Sequence, residues 1–378
     1  MIMKKNLRII ISGGGTGGHI FPAISIANAI KELLPETEIL FVGAEGRMEM
    51  HRVPAAGYQI KGLPVAGFDR KNLLKNIPVL IKLFKSQRMA RKIIKDFHPH
   101  AAVGVGGYAS GPTLKVAGSM GIPTLLQEQN SYAGVTNKLL ANQAHKICVA
   151  YEGMERFFEK NKIIITGNPV RQGLINHNIS REKAIETFGL NPKKKTILIL
   201  GGSLGARTIN QCLMENLEII KQSEVQFIWQ TGKIYINEAH AAYVKAGSPT
   251  MIHVTDFISD MATAYQAADL IISRAGAGSI SEFCLLAKPV ILVPSPNVAE
   301  DHQTQNALAL VNKNAAIYVK DIEAKNLLIN KAIETVNQSE LLNNLSNNIS
   351  KLAFTDSANV IAREVIKLAE QYKRDHGC

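Results

Sequence analysis

The feature that most constrains the fold is a strand, glycine-loop and helix pattern that occurs twice. Residues 8–19 read RIIISGGGTGGH and residues 196–207 read TILILGGSLGAR. In both copies a β-branched run precedes glycines and a segment of helical period. Because a chain of 378 residues is long enough for two cores of its own, the repeat predicts two similar domains.

Further apolar runs alternate with helical segments along the whole chain. The runs are RIIIS, EILFVG, AAVGVGG, TLLQE, KICVA and IIIT in the first half, and TILILGG, VQFIWQTG, MIHVTDF, LIISRAG and VILVP in the second. Runs that are apolar on both faces are typical of parallel strands covered by helices on each side. We therefore predict a doubly wound α/β fold in each half.

The Asn-Pro pair at 168–169 interrupts regular structure and marks the expected join. We predict domains over 1–168 and 169–356. An amphipathic helix over 357–374 fits either domain on sequence alone, and we assign it to the first.

Charge is concentrated in the first half of the chain. The net charge is +12, and residues 1–168 hold 22 basic and 11 acidic residues. The segment 70–95 has nine Lys and Arg and no acid, which favours a local anionic partner. The four cysteines have no metal-type or disulfide-type spacing, and no apolar run reaches the roughly 18 residues of a membrane span. We expect a cytoplasmic protein.

The basic segment contains a helical pattern with two apolar stripes. A core-facing stripe is formed by Val79, Leu83, Ser86, Ala90, Ile93 and Phe97. A second stripe is formed by Ile77, Leu80, Phe84, Arg88, Arg91 and Lys95. The second stripe fits insertion beneath anionic lipid headgroups, and the alternative is contact with another protein or with the same domain. Nucleic acid fits less well because aromatic residues are scarce.

The first glycine loop formally satisfies G-x-G-x-x-G at Gly13, Gly15 and Gly18. Glycines let a phosphate or sugar approach the amides of a helix N-terminus, although a tight turn without a ligand has the same pattern. His19 lies where the helix opens, and the positive end of the helix dipole favours its neutral ring.

Two more loops, 104–112 and 127–134, follow predicted strands, so all three should meet at the carboxyl edge of one sheet. Glu128 is either a solvated loop acid or a functional carboxylate. The His98-Pro99-His100 run lacks further zinc ligands, and we interpret it as a turn.

In the second half, glycine loops followed by helical segments occur again at 201–206 and 274–282. Ser279 and Glu282 fit either a capping box or a ligand site in which Glu282 accepts ribose hydroxyls. No Asp-x-Asp occurs, so nothing suggests a metal–diphosphate clamp. Helix N-termini and a positively charged residue such as Arg171 would then balance the charge of the phosphates.

The assembled motifs resemble the MurG family of peptidoglycan N-acetylglucosaminyltransferases over essentially the whole chain. They are, in order, GGGTGGHIFPA, GRME, GGYASGP, QEQNSYAGVTNK, GNPVR, GGSLGAR, DFISDM, SRAGAGSISE and DHQTQNA. The resemblance implies a metal-independent, inverting GT-B glycosyltransferase, with two Rossmann-like domains facing across a cleft and no cofactor. The substrates would be UDP-GlcNAc and lipid I, the undecaprenyl-diphospho-MurNAc-pentapeptide.

By resemblance, His19 is the base, with Glu128 orienting it or sharing its task. The acceptor and diphosphate loops would include Gly13, Gly14, Gly15, Gly106, Gly107 and Tyr108. The donor contacts carried over are Thr16, Gly17, Gly18, Asn130, Arg171, Ser203, Phe257, Ile258, Ala277, Gly278, Ser279, Glu282, Gln303 and Asn306. Asn210 matches a family position of unassigned role, and Thr304 stands where some relatives have a second glutamine.

The resemblance further implies a peripheral protein of the cytoplasmic face of the inner membrane, with an anionic membrane surface and cell-wall synthesis proteins as partners. Three other interpretations stay open on sequence. They are a different GT-B enzyme such as a UDP-GlcNAc epimerase or glycolipid synthase, an NAD-dependent oxidoreductase, and a non-catalytic membrane scaffold. An oxidoreductase would need an acid at the end of the second strand, about 20 residues past the first loop, whereas the candidate there, Glu45, comes later.

Overall fold

The computed structural model describes residues 6–67, 77–170, 172–174, 179–202 and 204–377. The chain divides into two compact units. One unit is Met1–Arg171 together with Asp356–Cys378, and the other is Gln172–Thr355. The C-terminal helix therefore belongs to the first unit.

Each unit is built on one parallel sheet. The first has β1 (Arg8–Ser12), β2 (Glu38–Ala44), β3 (Gln59–Leu63), β4 (Ala101–Gly104), β5 (Thr124–Glu128), β6 (Lys146–Val149) and β7 (Ile163–Ile165). The second has β8 (Thr196–Leu200), β9 (Gln226–Gln230), β10 (Ile252–Thr255), β11 (Leu270–Ser273), β12 (Val290–Leu292) and β13 (Ile317–Tyr318).

Helices connect the strands in both units. Those of the first half are α1 (Gly17–Leu33), α2 (Glu49–Ala55), α3 (Ile77–Phe97), α4 (Ser110–Ser119) and α5 (Val135–Leu140). Those of the second half are α6 (Arg181–Thr187), α7 (Arg207–Glu215), α8 (Leu217–Gln222), α9 (Ile236–Lys245), α10 (Met261–Ala267), α11 (Ala277–Leu285), α12 (His302–Val311), α13 (Ala324–Asn337), α14 (Ser339–Ser350) and α15 (Ser357–His376).

The two sheets share the order of six strands, and the first sheet has a seventh strand, β7, at its edge. The order is β3-β2-β1-β4-β5-β6-β7 in the first unit and β10-β9-β8-β11-β12-β13 in the second. This is the doubly wound order of a Rossmann fold, with its reversal beside β1 and beside β8, and it confirms the predicted fold class. The sequence patterns missed β3 and β13. The first mixes lysine and glycine into a short run, and the second has two residues.

The first sheet is apolar on both faces because helices cover both. On one face, Ile9 and Ile11 belong to a core cluster with Ile26 of α1 and Ile361 of α15. On the other face, Ile10 packs in a cluster that includes residues of α3, α4 and α5. The alternation of neighbouring residues between two cores explains why the strand pattern lacked a polar face.

The predicted turn before β4 contains a buried histidine. His100 is 3% exposed, and its Nδ1 accepts a hydrogen bond from the backbone N–H of Arg8 at 3.0 Å. Burial, and then the charges of Arg8 and Lys373, lower the pKa of His100 to about 4. Between about pH 4 and pH 6.5, the folded state therefore keeps this ring neutral, whereas the unfolded chain would bind a proton.

We expect His100 to make stability depend on pH. Because its folded pKa lies below the unfolded value, its contribution is complete above about pH 6.5 and is lost as pH falls towards 4. The full effect is at most about 3 kcal/mol. Urea denaturation at pH 7 and pH 4.5 should show a smaller pH difference for His100→Gln than for the wild type. The exposed control His240→Gln should match the wild type, and an equal pH difference in all three proteins would contradict this assignment.

Candidate active site

The glycine loops of the first unit meet at the reversal of its sheet, as predicted. They follow β1 and β4, which are neighbours. A Cβ at Gly107 would overlap the carbonyl oxygen of Gly14, and one at Gly13 would overlap the side chain of Val105. The third loop joins them, since Nε2 of Gln129 donates to the carbonyl of Val105 at 2.8 Å. Open α/β sheets bind ligands at such an edge.

His19 lies in the first turn of α1 and is half-buried. Its Nδ1 is 3.1 Å from the carbonyl oxygen of Gly14 and 3.2 Å from Oγ1 of Thr16. Since a carbonyl oxygen only accepts, Nδ1 carries the hydrogen in the first contact. Its Nε2 faces the second loop, where a Cβ at Gly106 would lie 2.9 Å away. The imidazole is thus fixed between two glycine loops.

Glu49 is a site residue that sequence reasoning missed. The GRME motif was noted, but no role was assigned to its carboxylate. Glu49 is 1% exposed. Its Oε2 accepts from the N–H of Gly15 and its Oε1 from the N–H of Ala44, each at 3.0 Å. The sequence contained one signal for this role, because Glu49 is an acidic residue in the first turn of a helix that follows a strand.

Glu128 is buried, not solvated, so the loop-acid interpretation is wrong. It is 2% exposed, and its two oxygens accept hydrogen bonds from its own loop and from α5. Oε1 accepts from the N–H of Asn130 at 3.0 Å, and Oε2 from Nδ2 of Asn137 at 2.8 Å and the N–H of Gly134 at 3.0 Å. The carboxylate therefore fixes the third loop. Tyr108, in the second loop, is exposed.

In the second unit, α11 begins at Ala277 with Gly276 as its N-cap, and a glycine has no side chain to cap the first amides. The capping-box interpretation is wrong, because Ser279 is the third residue of the helix and not its cap. The first amides of a helix have no intrahelical partner. Ala277, Gly278 and Ser279 therefore offer main-chain donors at the sheet reversal beside β8 and β11.

Glu282 lies one turn further along α11. It is 8% exposed, and its Oε2 accepts a hydrogen bond from the hydroxyl of Tyr265 at 2.6 Å. Tyr265 is itself fully buried against Phe283, so it orients the carboxylate from behind. Phe257 is exposed beyond β10, and its carbonyl accepts from Oγ1 of Thr255 at 3.2 Å. Its neighbour Ile258 is buried.

A cavity of about 590 Å³ opens beside the same loops. Its lining residues are Gly205, Ala206, Arg207, Thr208, Gln211, Tyr235, Arg274, Ser295, Pro296, Asn297, Gln303 and Asp321. Gln303 was predicted, and its Oε1 accepts from the N–H of Ser295 at 2.8 Å, which leaves its NH₂ to donate. The two arginines were missed. Arg274 bonds Asp321 and the carbonyls of Val293 and Pro294.

Two predicted residues are buried and support the loops. Asn210 donates to the carbonyl of Thr231 at 2.8 Å and accepts from Nε1 of Trp229 at 2.9 Å. Asn306 donates to the carbonyl of Ala275 at 3.3 Å. Two others, Arg171 and Ser203, lie outside the described residues.

Cys148, Cys212 and Cys284 are buried free thiols, and burial raises the pKa of Cys284 to about 12. Among the described residues, no group of three or more His, Cys, Asp or Glu side chains is placed to hold a metal ion.

The α3 helix has the two predicted faces. Ser86 and Ala90 of the core-facing stripe are buried. On the second stripe, Leu80 is 54% and Phe84 79% exposed, and the basic residues Arg88, Arg91 and Lys95 are exposed as well. The side chain of Ile77 lies outside the described residues. Within 6–67, 77–170 and the later described ranges, no helix is both long and apolar enough to span a membrane.

The two units match the two halves of one enzyme family. Residues 9–149 match the glycosyltransferase family 28 N-terminal domain, and residues 196–361 match the family 28 C-terminal domain. The family 28 matches, together with two Rossmann-like units that each have glycine loops at the sheet reversal, identify a glycosyltransferase with the GT-B fold.

The similar proteins narrow this class. A Phocaeicola vulgatus protein named UDP-N-acetylglucosamine--N-acetylmuramyl-(pentapeptide) pyrophosphoryl-undecaprenol N-acetylglucosamine transferase is 80% identical over 99% of this chain and 100% of its own. A Bacteroides fragilis protein of the same name is 72% identical over 97% and 96%. A crystal structure of Acinetobacter baumannii MurG is 28% identical, covers 96% of this chain and 99% of its own, and superposes with a TM-score of 0.77. The chain belongs to the MurG family, so the epimerase, oxidoreductase and scaffold interpretations are not favoured.

Proposed function

We propose that the chain transfers N-acetylglucosamine from UDP-N-acetylglucosamine to the 4-hydroxyl of the muramyl sugar of lipid I. The products are lipid II and UDP, in peptidoglycan synthesis. The observation that carries this proposal is the 80% identity, over 99% of the chain, to a transferase named for that donor and acceptor.

The donor nucleotide is assigned to the second unit. The amides of Ala277, Gly278 and Ser279 at the start of α11 favour the diphosphate by direct donation and by the helix dipole. Glu282 is assigned the ribose hydroxyls, and the backbone at Phe257 and Ile258 the uracil. The cavity lined by Arg207, Arg274 and Gln303 suits the remaining diphosphate charge and the sugar.

The acceptor is assigned to the first unit, with its diphosphate over the glycine loops. Nε2 of His19 takes the proton of the 4-hydroxyl as that oxygen bonds to the anomeric carbon. The bond between this carbon and the UDP oxygen breaks, and the electron pair leaves with UDP. Attack opposite the leaving group inverts the anomeric centre. Asn130 is assigned to the sugar, and Glu128 to holding the loop that carries Asn130.

We expect transfer to continue in EDTA. The leaving diphosphate would be stabilised by main-chain amides and arginine instead of a divalent ion. The measurement is release of UDP with a lipid I analogue as acceptor, in EDTA and in added Mg²⁺, with turnover within about twofold between the two. Loss of turnover in EDTA that Mg²⁺ restores would contradict the metal-independent part of the proposal. Absence of any UDP release would contradict the transferase.

We also propose that α3 holds the enzyme at an anionic membrane surface on the cytoplasmic face of the inner membrane. Its exposed apolar residues, Leu80, Ile81 and Phe84, precede a run of exposed basic residues on the same helix. Apolar side chains below the headgroups and basic residues beside them stabilise such binding together. Binding through α3 would bring the enzyme to its lipid-linked acceptor. Cell-wall synthesis proteins are proposed as further partners.

The double variant Leu80→Ser, Phe84→Ser should bind phosphatidylglycerol vesicles roughly 10- to 100-fold more weakly than the wild type, since two apolar side chains no longer insert. Cosedimentation measures the effect. The matched control is Ile322→Ser, Leu327→Ser, which removes two exposed apolar residues of the second unit. Equal binding of both variants would contradict the assignment to α3.

A further inference from the structure

We propose that Glu49 is a positioning residue for His19 and acts through the peptide group that joins Gly14 to Gly15. This inference rests on the proposed function, in which His19 is the base. It concerns a carboxylate on α2 that the proposed mechanism does not otherwise use.

The connection consists of two hydrogen bonds to one peptide group. The N–H of Gly15 donates to Oε2 of Glu49 at 3.0 Å. The carbonyl of Gly14, on the other side of the same peptide bond, is 3.1 Å from Nδ1 of His19. Hydrogen bonds on the two ends of a peptide group polarise each other. The Glu49 carboxylate therefore makes the Gly14 carbonyl a better acceptor for the Nδ1–H of His19.

The consequence concerns the tautomer of the imidazole ring. A ring that keeps its hydrogen on Nδ1 has an unprotonated Nε2, which is the nitrogen a general base needs. The negative charge of Glu49 also favours the protonated ring that forms when Nε2 takes a proton. A carboxylate that contacts a catalytic histidine directly has the same two effects. In this protein a peptide group stands between them.

The surrounding backbone is shaped to hold this carboxylate. A Cβ at Gly14 would overlap Oε1 of Glu49, and one at Gly43 would lie 2.7 Å from its Cγ. Gly14 also has a φ of +152°, which disfavours other residues. Glycine at 14 is thus explained by the Glu49 side chain. Because the N–H of Gly15 donates to Glu49, a phosphate at this loop would be bound by other amides of the loop.

The kinetic test is Glu49→Gln, which keeps the shape and removes the charge. We expect kcat to fall by roughly tenfold, as when a group that orients a functional side chain is removed, and KM for UDP-N-acetylglucosamine to stay unchanged. In a His19→Ala background, Glu49→Gln should cause no further loss, because the two residues act as one unit. A further tenfold loss in that background would overturn the inference. The control is Glu45→Gln, which should have wild-type kinetics. Glu45 is an exposed acid that directly follows β2.

The spectroscopic test does not need transferase activity, so it separates this inference from the proposed function. Imidazole ¹⁵N shifts of the histidine-labelled full chain report which nitrogen carries the hydrogen, and His19→Ala assigns the His19 signal. In the wild type we expect the Nδ1–H tautomer, and in Glu49→Gln a shift towards Nε2–H. An Nε2–H tautomer in the wild type, or an unchanged tautomer in a folded Glu49→Gln, would overturn the inference.

Discussion

Replacing His19 with alanine is expected to lower kcat for GlcNAc transfer by about 10²- to 10⁴-fold, the usual contribution of a positioned general base. The KM for UDP-N-acetylglucosamine should stay near the wild-type value, because the contacts to the UDP part of the donor are assigned to the second unit. Initial rates with a lipid I analogue, at varied donor concentration, measure both parameters.

The matched control for this experiment is His240→Ala, an exposed histidine on α9, which should behave as the wild type. The geometry supports the larger effect at His19, since its ring is fixed by Gly14 and faces Gly106. A normal kcat in the His19→Ala enzyme would show that His19 is not the general base. A variant with normal kcat and a raised donor KM would move His19 to the donor site.

Replacing Glu282 with alanine is expected to weaken UDP-N-acetylglucosamine binding by roughly 10- to 100-fold. The ribose hydroxyls would lose a charged acceptor, and one hydrogen bond to a charged group contributes a net of about 1.5 to 3 kcal/mol. Titration calorimetry with UDP as well as the full donor measures the loss. Because the ribose is common to both ligands, the loss should be the same for the two.

Tyr265→Phe is the graded control for Glu282→Ala. It keeps the buried ring and the Glu282 carboxylate but removes the hydroxyl that donates to Oε2. We expect an affinity between those of the wild type and Glu282→Ala, since the carboxylate loses only its orientation. If Glu282→Ala bound UDP as tightly as the wild type, Glu282 would be a structural partner of Tyr265 and nothing more.

Much of the fold was predictable because both sheets are buried on two faces. A strand such as β1, which sends Ile9 and Ile10 into different cores, leaves a continuous apolar run in the sequence. The same topology made the meeting of three glycine loops predictable, since parallel neighbours end at one edge. The two-residue strand β13 leaves no such run and was missed.

The site itself was only partly predictable, because burial and hydrogen bonding are tertiary properties. Glu128 follows a strand among polar residues, and the sequence could not distinguish a solvated acid from one that holds its own loop. Glu49 is distant in sequence from Gly15, and only the packing of α2 beneath the loop joins them. At Ser279 a local pattern was misleading, because α11 begins at Ala277, three residues earlier than a capping box at Ser279 requires.

Main-chain amides of the second unit are assigned the donor nucleotide, and the glycine loops of the first unit are assigned the acceptor. A crystal structure of the full chain with UDP, grown in EDTA, tests this assignment most directly. We predict density for the diphosphate at the amides of Ala277 to Ser279 and for the ribose at Glu282. Density for UDP at Gly13 to Gly18, with α11 unoccupied, would contradict the assignment.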